Sequence, residues 1–127
     1  MLKILKGFEH DTLAIRASNI VSANDYKDIL MPALESKLKD HASIKIWYEF
    51  DKSFEGFTVG ALWDDTKLGL FHFNDFYRVV ILANDDLIRG MVSTLARIFP
   101  CPVNLFYLNE SDLALTWLKK AQANKIE

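Results

Sequence analysis

Two neighbouring hydroxyls, Ser53 and Thr58, are the side chains of this 127-residue chain whose setting most suggests chemistry. They bracket the turn DKSFEG. That turn follows an apolar stretch, SIKIWYEF, and leads into FTVGALWDD. A phosphate carried on either hydroxyl would lie at a helix N-terminus, where free N–H groups and the helix dipole stabilise negative charge. The plainer structural assignment makes Ser53 the helix cap and leaves Thr58 facing solvent, since Ser and Asp dominate caps.

Other reactive groups are sparse. Histidines stand at 10, 41 and 72, and His72 with Asp64 or Asp65 supplies fewer convergent ligands than a zinc site requires. Asp64 and Asp65 are adjacent, so on a helix they point about 100° apart and do not share a proton. No GxSxG elbow, Walker loop or GxGxxG occurs. The single cysteine, Cys101, lies between two prolines without an evident cationic partner. These patterns name no catalytic residue, no metal site and no cofactor, and the expectation is a protein that is not an enzyme.

The segments around these residues alternate between strand and helix. LKIL and TLAIRAS show period-2 alternation and read as a hairpin, with Leu13, Ile15 and Ala17 on one side. A helix follows, capped by Ser22 or Asn24, with Tyr26, Ile29, Leu30, Ala33, Leu34 and Leu38 as its apolar stripe. Pro32 predicts a kink or a fresh start within it. SIKIWYEF is a strand with Ile44, Ile46, Tyr48 and Phe50 on one side, and FTVGALWDDTKLGLFHF is a weak helix containing Gly60 and Gly69. RVVILA is a strand covered on both faces. Asn84 or Asp85 caps the next helix, whose buried stripe is Leu87, Ile88, Met91, Leu95, Ile98 and Phe99. VNLFYL is the last strand, and Ser111 caps a final helix with Leu113, Ala114, Trp117, Leu118 and Ala121 inward. The order ββαβαβαβα predicts an α/β fold, an open and mostly parallel five-stranded sheet with one antiparallel strand at an edge.

Length and composition suit one domain over residues 1–127. Half the residues are hydrophobic and the formal net charge is −2, with no basic run, so nucleic acid is not an expected partner. One cysteine allows no internal disulfide and fits the cytoplasm. No signal-like or membrane-spanning apolar stretch is present. Six of the nine phenylalanines lie between Phe50 and Phe76. Tyr48 and Phe50 are assigned to the core. Phe54, Phe57, Trp63, Phe71, Phe73 and Phe76 are too many for one face of a broken helix, so part of this set is expected to form a partner surface or to line an apolar ligand site.

A sequence of weak motifs resembles the SpoIIAA-like family, bacterial relatives of STAS domains and anti-sigma-factor antagonists. It comprises Ser22-Ala23-Asn24-Asp25-Tyr26, Met31-Pro32-Ala33-Leu34-Glu35, Phe54-Glu55-Gly56-Phe57-Thr58, Ala61-Leu62-Trp63-Asp64-Asp65, Arg78-Val79-Val80-Ile81 and VNLFYLNESDLALTWLKK. The resemblance implies a SpoIIAA-like fold, shared in outline with CRAL-TRIO lipid-binding domains. Anti-sigma antagonists carry a phosphorylatable Ser in a pattern like Asp-x-Ser-x-x-Asp-Ser-Ser-Gly. Here Asp51 and Ser53 match its first elements, Gly56 and Phe57 replace the second Asp and the first Ser of the pair, Thr58 falls at the modified position, and Val59 replaces the Gly. The expected function is a non-enzymatic regulatory or protein-interaction module, a homodimer with a further regulatory partner. The alternative is a carrier or sensor of a small apolar, lipid-like ligand in a CRAL-TRIO-like pocket.

Overall fold

The fold is assembled around its longest parallel strands. In the computed structural model, which describes residues 1–61 and 73–120, five strands pair in the order β1 (Leu2–Ile4), β2 (Thr12–Ala17), β4 (Ile44–Phe50), β6 (Phe76–Leu82) and β7 (Val103–Phe106). β1 runs antiparallel to β2, and the remaining pairs are parallel. This is the α/β sheet with one antiparallel edge that the alternation of elements predicts. A second, two-residue parallel pair joins β3 (Ile20–Val21) to β5 (Gly56–Phe57). Strands this short leave no periodic trace in a sequence.

Helices cover both faces. α1 (Ala23–Asp25) passes through a π turn (Tyr26–Leu30) into α2 (Met31–Asp40). Ser22 is the cap: it accepts from the Asp25 N–H, and the Asp25 carboxylate accepts in return from the Ser22 N–H at 2.8 Å. Pro32 sits in the first turn of α2 and has no N–H to give. The preceding turn widens, and the Met31 N–H reaches back to the Tyr26 carbonyl. Pro32 thus marks a fresh start. α3 (Asp86–Leu95) is capped by Asp85, which accepts from the Ile88 N–H at 3.0 Å. α4 (Ser111–Lys119) closes the described chain. Ser111 is its first residue and not its cap, because a 3₁₀ turn (Leu108–Glu110) precedes it, fastened by the Glu110 carboxylate on the Tyr107 N–H.

The core has two layers. On one face Leu13, Ile15, Ile46, Tyr48 and Val79 pack under α2 and α3, with Leu30, Leu34 and Ile88 buried from above. On the other, Ala14, Trp47, Val80 and Leu82 pack under α4 through Ala114 and Leu118. Two apolar stripes are corrected. Within the predicted stripe of α3 only Ile88 is buried, Phe99 is half-buried, and Leu87, Met91, Leu95 and Ile98 stand in solvent. On α4, Leu113 is exposed. Periodicity marks which residues are apolar on a helix, but not which part of a wide arc meets the sheet.

Among the described residues one charge is buried inside the sheet. Lys45, 2% exposed, places Nζ 2.5 Å from the Glu9 carboxylate, 3.9 Å from that of Asp11 and 3.3 Å from the Leu118 carbonyl at the end of α4. The ammonium is thereby paired and hydrogen-bonded, which is what makes a buried charge tolerable. Replacing it by Lys45→Ala is expected to lower stability by about 2–3 kcal/mol, because it opens a cavity and strands the Leu118 carbonyl. Lys45→Met, which refills the volume, is expected to cost less than half as much. Urea unfolding of both variants checks this, and equal losses would show that the charge, not the volume, is what the position requires.

Candidate functional site

The turn after β4 is held at three points by the segment 17–21. The Asp51 N–H donates to the Ala17 carbonyl at 2.9 Å, the Glu55 N–H to the Asn19 carbonyl at 2.7 Å, and the Thr58 N–H to the Val21 carbonyl at 2.9 Å. Gly56 adopts φ +145°, a backbone conformation that side chains with a Cβ rarely take. The loop is therefore a braced rim at the C-terminal end of the parallel strands, which is where open α/β sheets place their sites.

Within that rim the two hydroxyls exchange the roles the sequence suggested. Ser53 does not cap the helix. Its N–H and hydroxyl both donate to the Asp51 carboxylate, at 3.0 and 2.7 Å. Thr58 is the cap: its Oγ1 accepts from the Ala61 N–H at 3.1 Å, and the backbone is helical over 59–61. Both residues are exposed. The bonds from the Ser53 N–H and hydroxyl hold the Asp51 carboxyl below its ordinary 3.8, with the Arg16 charge a smaller contribution in the same direction.

Phe54 and Phe57 are half-buried and packed edge-to-face on Phe50, at 4.9 and 6.2 Å between ring centres, and on each other at 5.2 Å. Phe50 in turn stacks on Tyr48 at 4.6 Å. Phe76 is buried at the opposite end of the same sheet face, since it pairs with Ile44 while Phe50 ends β4. Six residues of strand, roughly 20 Å, separate the two ends. The structure thus gathers Ser53, Phe54, Phe57 and Thr58 and sets Phe76 apart. Trp63, Phe71, Asp64, Asp65 and His72 lie outside the described residues, as does the side chain of Phe73.

Between the two aromatic ends runs a pocket of about 190 Å³. Its floor includes Ile15, Ile46 and Tyr48 from the sheet, and its walls include Leu34 from α2, Val92 and Leu95 from α3, and Phe99 just beyond that helix. Its lining side chains are apolar except for the tyrosine hydroxyl, which bonds that of Tyr26 at 3.1 Å. Sequence reasoning missed the α3 wall. The available signal was the width of that helix's apolar arc, which is too broad for one contact.

Reactive alternatives are few among the described residues. His10 Nδ1 and His41 Nε2 meet at 2.7 Å on the surface, and no group of three or more metal-ligating side chains forms there. Burial pushes the Cys101 thiol up to about 11, against a smaller pull from Arg78, so it stays protonated and unreactive at neutral pH. No described helix is long and apolar enough to cross a membrane.

A SpoIIAA-like family model matches residues 12–119, and the chain belongs to that family. Among solved structures, an uncharacterised DUF3478-family protein with a SpoIIAA-like fold from Shewanella loihica PV-4 is similar over 92% of this chain and 93% of its own, with 28% identity and a TM-score of 0.70. No curated protein matches. The fold and family define a STAS-like module.

The Asp51–Ser53 clasp gives a pH test. A carboxyl whose folded pKa is depressed contributes stability above its ordinary range and loses it as pH falls through the folded value. Carbon-detected NMR is expected to show Asp51 titrating below 3.8, and Ser53→Ala to move it back toward that value. An unchanged midpoint in Ser53→Ala, which keeps the Ser53 N–H, would show that the Ser53 hydroxyl does not help to hold the carboxylate.

Proposed function

We propose that this chain is a non-enzymatic interaction module of the bacterial cytoplasm, one that works by presenting apolar surface to a protein partner and that pairs with a second copy. The observation that carries this reading is the outer face of α3. Leu87, Met91 and Leu95 are 73%, 39% and 52% exposed, as is Ile98 at 77% in the turn that continues the helix; Leu95 also borders the pocket, and the helix's inner side packs on the sheet. Large aliphatic side chains grouped on a monomer's surface mark contact sites, whereas single ones need no explanation. The turn Asp51–Gly56 supplies a second, polar element of the working surface. Ser53 within it and Thr58 just after it are the acceptor positions proposed for phosphate, and Phe54, Phe57, Trp63, Phe71, Phe73 and Phe76 remain the aromatic set proposed for partner or ligand contact. Family membership supports the reading.

The pocket favours a second reading, a carrier or sensor of a small apolar ligand. A volume of about 190 Å³ lies below the ~300 Å³ of most ligand sites, yet apolar cavities of ~150 Å³ bind compact hydrocarbons such as benzene. Benzene titrated into methyl-labelled protein is expected to shift the methyls of Ile15, Leu34, Ile46 and Val92 and few others. Shifts spread across the surface, or none, would remove this reading.

The interaction reading has its own test. Residues kept for contact add little to monomer stability, so Leu87→Gln/Ile98→Gln in dilute solution is expected to unfold within about 0.5 kcal/mol of wild type. A loss of about 2 kcal/mol or more would mean that the stripe serves the monomer's own packing.

A further inference from the structure

We infer that α3 is the seam of a symmetric dimer in which the helix lies antiparallel to its own copy. This deepens the interaction reading and rests on the α3 stripe being a working surface.

The stripe is long enough to define a direction. Leu87 and Ile98 are eleven residues apart, about three turns, so they fall on the same side, with Met91 and Leu95 between them. Winding persists past the end of α3 through hydrogen bonds from the Arg97 N–H to the Thr94 carbonyl and from the Ile98 N–H to the Leu95 carbonyl. The same spacing separates Asp86 from Arg97, which flank the stripe at opposite ends and are both exposed. Neither has an ion-pair partner among the described residues. The other cation of the helix, Arg89, is already engaged: it donates to the Ala83 carbonyl at 2.9 Å and lies 3.6 Å over the Tyr107 ring.

Charge complementarity selects both the occupant and its orientation. A second copy placed antiparallel sets Asp86 of each chain beside Arg97 of the other, so both ends of the seam close with opposite charges. A parallel copy sets Asp86 against Asp86 and Arg97 against Arg97. The middle of the stripe carries no charge, so a copy meets no repulsion there. Gly90 has open space around it and Thr94 folds its hydroxyl back onto the Gly90 carbonyl at 3.1 Å, which lets two helices approach closely. A two-fold axis that pairs Leu87 with Ile98 passes near Met91 and Thr94.

The area sets the strength. Four side chains at these exposures offer at most on the order of 400 Å² of apolar surface, since part of Leu95 faces the pocket, and that is about the size of a large patch on a monomer. Two such faces fall at the low end of specific interfaces, below ~1,200 Å² in total. The dimer is therefore a weak one that dissociates on dilution, at micromolar concentrations.

Light scattering and site-directed disulfides test this on the full chain. Wild-type mass is expected to rise from one chain toward two between micromolar and millimolar concentration. A mass of one chain throughout would overturn the inference while leaving the stripe available to a different partner. In a Cys101→Ser background, oxidised Met91→Cys is expected to cross-link to itself. Leu87→Cys is expected not to cross-link alone but to do so when mixed with Ile98→Cys. Self-cross-linking of Leu87→Cys without a mixed product would show a parallel pair and overturn the geometry. Asp86→Arg and Arg97→Asp are each expected to weaken association about fivefold to tenfold, and the double exchange to restore it to within about twofold. Failure of the double exchange to restore association, with all variants folded by circular dichroism, would equally overturn the seam.

Discussion

The structure depends on β4 being buried on both of its faces at once. Ile44, Ile46, Tyr48 and Phe50 go to the layer under α2 and α3, while Lys45 and Trp47 go to the layer under α4. Its backbone is bonded on one side to β2 and on the other to β6, both parallel, so no edge of it meets water. A strand shared by two core layers fixes the register of its neighbours, because a slip of one residue would send Trp47 and Tyr48 to each other's side. The position that ought to resist this arrangement is Lys45, whose ammonium lies in the interior. Glu9 and the Leu118 carbonyl meet it there, so the charge that threatens the core also ties the loop before β2 to the last described helix.

From that strand the site follows directly. β4 ends at Phe50, and the chain must turn while its aromatic residues are still over the sheet. Phe54 and Phe57 fold back onto Phe50, and the backbone of the turn bonds to the segment 17–21. The result is a braced rim with two exposed hydroxyls, above a sheet face that is not completely filled. The roles of Ser53 and Thr58 depend on backbone geometry: the short β3–β5 pairing delays the helix until residue 59, which moves the cap from Ser53 to Thr58.

Much of the fold was legible in the sequence because strands and helices here keep clean periods. The alternation in TLAIRA and IKIWYEF, the continuous run in RVVIL and the Ser22 cap each have a local physical cause that acts whatever surrounds them. What could not be read depends on distance in space. The buried stripe of α3 was assigned too broadly, since Leu87, Met91, Leu95 and Ile98 are as apolar as Ile88 and Val92, and only the position of the sheet distinguishes them. The meeting of His10 with His41, the pairing of Lys45 with Glu9, and the separation of Phe76 from Phe54 and Phe57 likewise join residues whose spacing along the chain carries no signal. The ordered weak motifs carry the architecture, whereas which apolar groups the core leaves outside depends on packing that no local pattern records.

The central claim is that this protein acts through apolar surface that the core leaves outside, and that α3 and the turn after it carry that surface. Amide hydrogen exchange at low and at high protein concentration tests it most directly. The account expects added protection at high concentration to concentrate within residues 86–98, with the strands of the sheet unchanged. Protection that rises elsewhere while 86–98 exchanges at the same rate in both samples would contradict it.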